Sequence, residues 1–208
     1  MEQHAAGTEH YFTAAPASAD ERRRVRVRLA GRELEVEVAP GIFSPGGVDR
    51  GTAVLLASVP DPPPHGTLLD LGCGWGPLAL TLALRSPAAT VYAVDVNERA
   101  VDLTAVNASA LGLGAVRASG PDGIPESVRF DRIWSNPPVR VGKAALHDLL
   151  LTWLPRLAAG GVAHLVVAKN LGADSLAGWL PGALGEGYAV RRLSTSGGFR
   201  VLEVAREG

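Results

Sequence analysis

Apolar and charged residues alternate along two short stretches near the start of the chain. Residues 25–29 and 34–38 follow this pattern on either side of Ala30-Gly31-Arg32, which predicts a β-hairpin with one buried face. We expect its outer face to pair Arg26 and Arg28 with Glu35 and Glu37. The pattern changes from residue 67 onward, where short apolar runs alternate with helical periodicity.

This second part predicts strands and helices in turn, an arrangement typical of a parallel sheet covered by helices on both faces. The last two strands are joined by Thr195-Ser196-Gly197-Gly198 without a helix, so the last strand should run antiparallel to its neighbours. The expected fold is therefore α/β, a seven-stranded, mostly parallel, doubly wound, Rossmann-like sheet. The predicted strands are 67–71, 90–94, 115–118, 130–134, 161–168, 188–194 and 199–205, and the predicted helices are 76–85, 98–111, 143–158 and 173–184.

The pattern divides the chain into three segments. Residues 1–20 are polar and without period, which predicts a flexible lead-in. Residues 21–64 hold the hairpin and a short helix near residues 54–56, and they end in a proline-rich connector. Residues 65–208 form the main domain.

Composition narrows the class of protein. A chain of 208 residues with 47% hydrophobic content suits one α/β domain with a modest extension. A net charge of −1 means that any nucleic acid must be bound by a local basic patch, and the three arginines 22–24 are candidates for phosphate contact. The single cysteine excludes a multi-cysteine zinc site. No signal pattern or membrane-length apolar run is present, so we expect a cytoplasmic protein without membrane or metal partners.

The predicted strand 67–71 runs directly into alternating glycines at Gly72, Gly74 and Gly76, and a helical pattern follows. Such a turn exposes backbone N–H groups at a helix N-terminus and lets a ligand approach the main chain. The spacing departs from the dinucleotide pattern G-x-G-x-x-G. Asp70 would repel a phosphate and favours a ligand with positive charge, which makes a nicotinamide oxidoreductase a distant alternative.

Asp95 ends the next apolar strand, about twenty residues after the first glycine. An acid at this edge of a doubly wound sheet can accept both hydroxyls of a ribose. The alternative is that Asp95 caps the helix that starts near Asn97.

Asn136-Pro137-Pro138 follows the predicted strand 130–134 directly. The two prolines make the turn rigid and leave its carbonyl groups directed outward. The Asn136 amide oxygen and the Pro137 carbonyl could then accept both hydrogens of an exocyclic amino group, which is what N-methylation requires.

These motifs resemble the class I S-adenosylmethionine-dependent methyltransferases, and within them the "methyltransferase small" group of ribosomal RNA small-subunit guanine-N2 methyltransferases. The resemblance covers nearly the whole chain. It is carried by His10-Tyr11-Phe12, Gly41-Ile42-Phe43-Ser44, Asp49 with Gly51-Thr52, the glycine turn, Ser135-Asn136-Pro137-Pro138 and Lys169-Asn170-Leu171-Gly172.

The resemblance implies S-adenosyl-L-methionine as the cofactor and ribosomal RNA, or the small ribosomal subunit, as the partner in rRNA processing. Val96 matches the position that packs on the adenine ring, and Asp122, with Ser119 as a rival, the position that binds the adenine amino group. The implied cofactor-binding residues are Asp70, Gly72, Cys73, Gly74, Gly76, Asp95, Val96, Asp122, Asn136 and Thr52; the implied substrate-binding residues are Val139, Arg140, Lys143, Lys169 and Phe43, and the implied catalytic residues are Asn136, Pro137 and Pro138.

Val139 departs from the motif, in which an aromatic residue follows Asn-Pro-Pro and stacks on the acceptor base. Trp75, Phe43 and Trp134 are the aromatic residues closest in sequence that could replace it. Two alternatives stay open. The chain could methylate the N5 amide nitrogen of a protein glutamine with the same loop, or it could be a non-catalytic RNA-binding or assembly protein that keeps the fold.

Overall fold

The structure is a computed structural model that describes residues 21–138 and 142–208. A seven-stranded sheet lies at its centre. Its strands are β3 (His65–Leu71), β4 (Ala88–Val94), β5 (Val116–Ser119), β6 (Phe130–Ser135), β7 (Leu157–Ala168), β8 (Tyr188–Ser196) and β9 (Phe199–Arg206). Their spatial order is β5-β4-β3-β6-β7-β9-β8.

Five α-helices accompany the sheet in the described part of the chain. They are α1 (Arg50–Ser58), α2 (Pro77–Arg85), α3 (Glu98–Ala110), α4 (Lys143–Trp153) and α5 (Ala173–Leu184). β3 is parallel to β4 and β6, and β9 is antiparallel to both β7 and β8, which confirms the expected topology. None of the helices in the described ranges is long and apolar enough to cross a membrane.

The predicted end of α4 is wrong. The sequence pattern predicts one helix over residues 143–158, but the α-helix ends at Trp153 and a 3₁₀ turn occupies Leu154–Arg156. Pro155 has no N–H for a helical hydrogen bond, so the helix cannot continue through it. β7 then begins at Leu157, opposite Phe130 of β6, four residues earlier than predicted.

The N-terminal hairpin consists of β1 (Arg23–Leu29) and β2 (Arg32–Val38). Arg26 lies opposite Glu35 as expected, but the observed ion pairs involve other residues. Arg24 contacts both Glu35 at 3.3 Å and Glu37 at 3.7 Å. Arg28 pairs with Glu33 at 3.3 Å. The hairpin face is therefore largely neutralised by its own acids.

The buried face of the hairpin belongs to the same core as the helices that follow the glycine turn. Leu29 and Val38 pack in one cluster with Trp75, Leu80 and Leu103. The Asn107 side chain joins β2 to this core, because its amide oxygen accepts the Glu37 N–H at 2.7 Å. The core thereby fixes the hairpin against α2 and α3.

Candidate active site

A cavity of about 580 Å³ lies at the carboxyl ends of β3, β4, β6 and β7. This is the edge at which doubly wound sheets bind their ligands. A smaller cavity of about 20 Å³ adjoins it and shares Phe43, Asp49, Gly72 and Asn136 with it. The two cavities together collect most of the residues that the sequence singles out.

The glycine turn forms one wall of the large cavity. A Cβ atom at Gly72 would meet nothing within 4 Å, and the residue has φ of +81° in an exposed position. Gly76 also has a positive φ, but a Cβ atom there would lie 3.1 Å from Thr104 of α3. The prediction that the glycines admit a ligand therefore suits Gly72, whereas Gly76 is a packing residue that lines neither cavity.

Asp70 lines the small cavity and is fully buried. One carboxylate oxygen accepts the Ala79 N–H at 2.8 Å, and the other has no hydrogen-bond partner among the described residues. Burial raises the pKa of Asp70 from 3.8 to about 8, although the Ala79 N–H opposes the shift. An acceptor oxygen left unpaired in this position fits a ligand that brings a cationic donor group.

Asp95 lies between the turn and the cavity. Its two carboxylate oxygens accept the Gly74 N–H and the Asn97 N–H, each at 3.0 Å, while the side chain still lines the cavity. Desolvation raises the pKa of Asp95, and the backbone N–H groups lower it less strongly. Asn97, and not Asp95, caps α3, since its side chain accepts the Arg99 and Ala100 N–H groups. Asp95 is thus held at the position where a ribose could be bound.

Asn136 is held by the start of α1. Its amide nitrogen lies 3.1 and 3.2 Å from the two carboxylate oxygens of Asp49 and 3.1 Å from the Thr52 hydroxyl. A carboxylate can only accept hydrogen bonds, so the nitrogen must be the amide atom that faces Asp49. The Asn136 amide oxygen consequently points away from Asp49 and accepts no hydrogen bond from the described residues.

Asp49 also caps α1, because its carboxylate accepts the Gly51 N–H at 2.9 Å and the Thr52 N–H at 3.0 Å. Gly51 eases this approach, since a Cβ atom there would lie 3.3 Å from the Asn136 amide nitrogen and 3.1 Å from Phe199, both tight contacts. The resemblance includes Asp49 but assigns it no role. The structure shows that it connects α1 to the Asn-Pro-Pro turn.

Apolar side chains surround the rest of the large cavity. Phe43, Val96 and Leu171 line it with 42%, 45% and 43% of their surface exposed, which is unusual for side chains of this size. Trp153 and Phe199 also line it. Both were missed in the sequence because they lie far along the chain from the motifs.

The structure distributes the other predicted site residues unevenly. Pro137 and Pro138 line the large cavity, and Cys73, Gly74 and Thr52 line the small one. Of the suggested stacking residues, Trp75 lines the small cavity only and Trp134 is buried in the core away from both. Asp122, Lys143 and Lys169 are exposed and line neither cavity, while Val139, Arg140 and His10-Tyr11-Phe12 lie outside the described residues.

Comparison with known proteins identifies the family. The model of the methyltransferase small domain matches residues 33–203. The chain belongs to this family of S-adenosylmethionine-dependent methyltransferases. Its similarity to the B. subtilis protein YbxB, which is uncharacterised, is 33% identity over 81% of this chain and 85% of that protein.

Two relatives have described activities. Ribosomal RNA small subunit methyltransferase C of Pseudomonas paraeruginosa is 37% identical over 88% of this chain. The T. thermophilus 16S rRNA guanine-N2 methyltransferase RsmC, in a complex with AdoMet and guanosine, matches with a TM-score of 0.73 and 28% identity over 93% of this chain. This chain spans only 54% of the first relative and 52% of the second.

Proposed function

We propose that this protein transfers a methyl group from S-adenosylmethionine to an exocyclic amino group, and that its substrate is guanine N2 of small-subunit ribosomal RNA. The fixed orientation of the Asn136 amide carries the proposal. Its nitrogen is held by Asp49 and Thr52, so its oxygen is available to accept a hydrogen bond from the amino group of a substrate in the cavity.

The residues present fit the cofactor. When bound, S-adenosylmethionine supplies an electrophilic methyl group on a sulfonium. Asp95 would bind its ribose, Val96 would pack on its adenine, and the open main chain at Gly72 would admit it. The unpaired oxygen of Asp70 would face the positive charge of its amino acid part, either directly or through water.

The chain's own part in the reaction is to orient the acceptor. An amino group conjugated to a purine ring is a poor nucleophile, because its lone pair is delocalised. If the Asn136 amide oxygen and the Pro137 carbonyl accept its two hydrogens, the nitrogen is turned so that the lone pair can point at the methyl group. Both acceptors are held in place before the reaction, so they also stabilise the positive charge that develops on the nitrogen.

The cavity wall suits a planar acceptor. Phe43, Leu171 and Phe199 offer apolar surfaces to the faces of a base, and aromatic stacking on a base contributes about 1–3 kcal/mol. These side chains would take over the stacking role of the aromatic residue that follows Asn-Pro-Pro in the motif and that this chain lacks at position 139. Both relatives are named as ribosomal RNA methyltransferases, and the T. thermophilus protein, an N2 guanine methyltransferase in complex with guanosine, supports guanine as that base.

The decisive experiment is mass spectrometry of small-subunit ribosomal RNA from cells without the gene. We expect the loss of one N2-methylguanosine, restored by the wild-type protein and not by Asn136→Ala. An unchanged nucleoside profile would contradict the RNA substrate. In that case a lost N5-methylglutamine in a protein would identify the alternative substrate, and no lost methyl group at all would favour a non-catalytic role.

A further inference from the structure

Two basic residues from other parts of the chain contact the turn between β8 and β9, Arg50 through its side chain and Lys169 through its backbone. Gly197 and Gly198 form this turn with φ of +55° and +86°, and both are exposed. The backbone N–H of Lys169, the residue that follows β7, donates to the Gly198 carbonyl at 2.8 Å. The Arg50 guanidinium, from the first residue of α1, donates to the Gly197 carbonyl at 3.4 Å.

The turn lies at the rim of the large cavity. Lys169 lies between Ala168 and Asn170 in the chain, and both of these residues line the cavity. Arg50 directly follows Asp49, and Phe199 directly follows the turn, and these two residues also line it. A strand of nucleic acid that leaves the cavity on this side would therefore cross the turn.

Among the described residues, no acid holds the two cations beside this turn in an ion pair. Within residues 21–138 and 142–208, neither Arg50 nor Lys169 has a hydrogen bond or ion pair to an acid. The carboxylate of Asp174 is held by Arg200, and that bond, followed by the charges of Arg200, Arg192 and Lys169, lowers the pKa of Asp174. Asp174 is thus already paired with Arg200.

Arginines at the N-terminal hairpin, in contrast, are bonded to acids or carbonyl groups of the protein. Arg22 pairs with Asp102 at 2.6 Å, and Arg24 and Arg28 pair with acids of β2. Arg23 donates to the Pro45 carbonyl at 2.9 Å. The sequence suggests arginines 22–24 for phosphate contact, but their bonds within the protein make them poorer candidates than the two cations at the turn.

We propose that the β8–β9 turn, with Arg50 and Lys169 beside it, is a docking surface for the phosphate groups of the RNA strand next to the methylated nucleotide. This inference rests on the proposed function for its choice of an RNA partner. Two exposed cations, the exposed Ser196 at the end of β8 and a turn without bulky side chains suit phosphate oxygens. The net charge of −1 leaves no general attraction for a polyanion, so a local surface has to supply it.

The test measures binding of a fluorescein-labelled, 20-nucleotide single-stranded RNA of mixed sequence between 50 and 200 mM KCl. Each phosphate contact in a single strand contributes about 0.7 to the slope of log affinity against log salt. We expect Arg50→Gln and Lys169→Gln each to weaken binding several-fold and to reduce the slope by about that amount. The matched control is Arg28→Gln, an exposed arginine whose charge is already paired on the hairpin.

Two results would overturn the docking surface: no binding of this RNA by the wild-type protein, or equal losses in Arg28→Gln and in the two turn variants. Calorimetry with S-adenosylhomocysteine checks that every variant keeps its cofactor site. Methyl transfer by the wild-type protein is measured separately and decides the proposed function. An RNA slope that depends on Arg50 and Lys169 without any methyl transfer would therefore contradict the proposed function and leave the surface intact.

Discussion

The side chain of Asn136 is the residue on which the proposed chemistry depends. Its orientation follows from the chemistry of its neighbours, because Asp49 can only accept a hydrogen bond. The sequence predicts the importance of Asn136 from the prolines beside it. It could not predict the support from Asp49, since the contact joins residues that are 87 positions apart.

Replacing Asn136 with alanine should separate binding from chemistry. We expect nearly unchanged affinity for S-adenosylhomocysteine, because the proposed partner of the amide oxygen is the acceptor amine. The rate of methyl transfer should fall by roughly 10²-fold, as when one preorganised polar group is removed from an active site. Calorimetry and single-turnover kinetics check the two parts, and a variant with full turnover would refute the role.

Asp49→Ser should test whether the support of Asn136 matters. Serine is also a good N-cap, so α1 should stay intact, but its short side chain no longer reaches the Asn136 amide. We expect kcat to fall about 10-fold with a smaller change in KM, because a misplaced amide reduces the stabilisation of the transition state more than it reduces substrate binding. Asp49→Asn keeps one acceptor oxygen and should recover part of the rate. Equal rates in all three proteins would mean that Asp49 only caps the helix.

At the scale of elements, the sequence predicts the order and the type of the helices and strands better than the residues at which they begin and end. The alternation of apolar runs and helical periodicity is a property of whole segments, and all seven strands of the main sheet are present in the predicted order, although β7 begins four residues early. The end of α4 depends instead on Pro155 and on the pairing of Leu157 with Phe130. That pairing is a tertiary contact, which local periodicity does not record.

The glycine turn offers a test in which conformation and space are separated. Gly72, Gly76 and Gly112 all have φ between +69° and +96°, so alanine should strain each by about 1–2 kcal/mol. Gly112→Ala, in an open turn after α3, should show this strain alone. Gly76→Ala should be less stable than that control because its Cβ meets Thr104 at 3.1 Å.

Gly72→Ala should match the Gly112→Ala control in stability but lose cofactor affinity, since its Cβ would enter the cavity. Urea unfolding and calorimetry with S-adenosylhomocysteine provide the two measurements. Undiminished affinity in Gly72→Ala would mean that the ligand does not approach the main chain at this turn.

At the scale of the whole molecule, residues 21–64 are joined to the main domain by contacts within the candidate site. α1 packs against β7 and β9, and Asp49 at its start contacts the Asn-Pro-Pro turn after β6. The family match over residues 33–203 likewise crosses the boundary expected near residue 64. Residues 21–64 and 65–208, which composition separates, thus pack in the same core clusters and line the same cavity.

Two buried groups should give the stability of this protein a characteristic pH dependence. In the folded protein burial raises the pKa of Asp70 to about 8, from 3.8, so between these values the folded state holds a proton that the unfolded state has lost. Asp70 therefore destabilises the fold as pH rises through this window, by at most about 1.4 kcal/mol per pH unit. Burial lowers the pKa of His164 from 6.5 to about 4, which gives the opposite slope below pH 6.5.

The two slopes oppose each other between about pH 4 and 6.5, and only that of Asp70 continues above this range. We therefore expect the free energy of unfolding, measured with urea, to decline most clearly between pH 6.5 and 8. Asp70→Asn keeps an acceptor for the Ala79 N–H and cannot ionise, so it should remove that decline. An equal decline in wild type and variant would show that Asp70 is already ionised at pH 6.5, and its unpaired oxygen would then need a cation or water in the free protein.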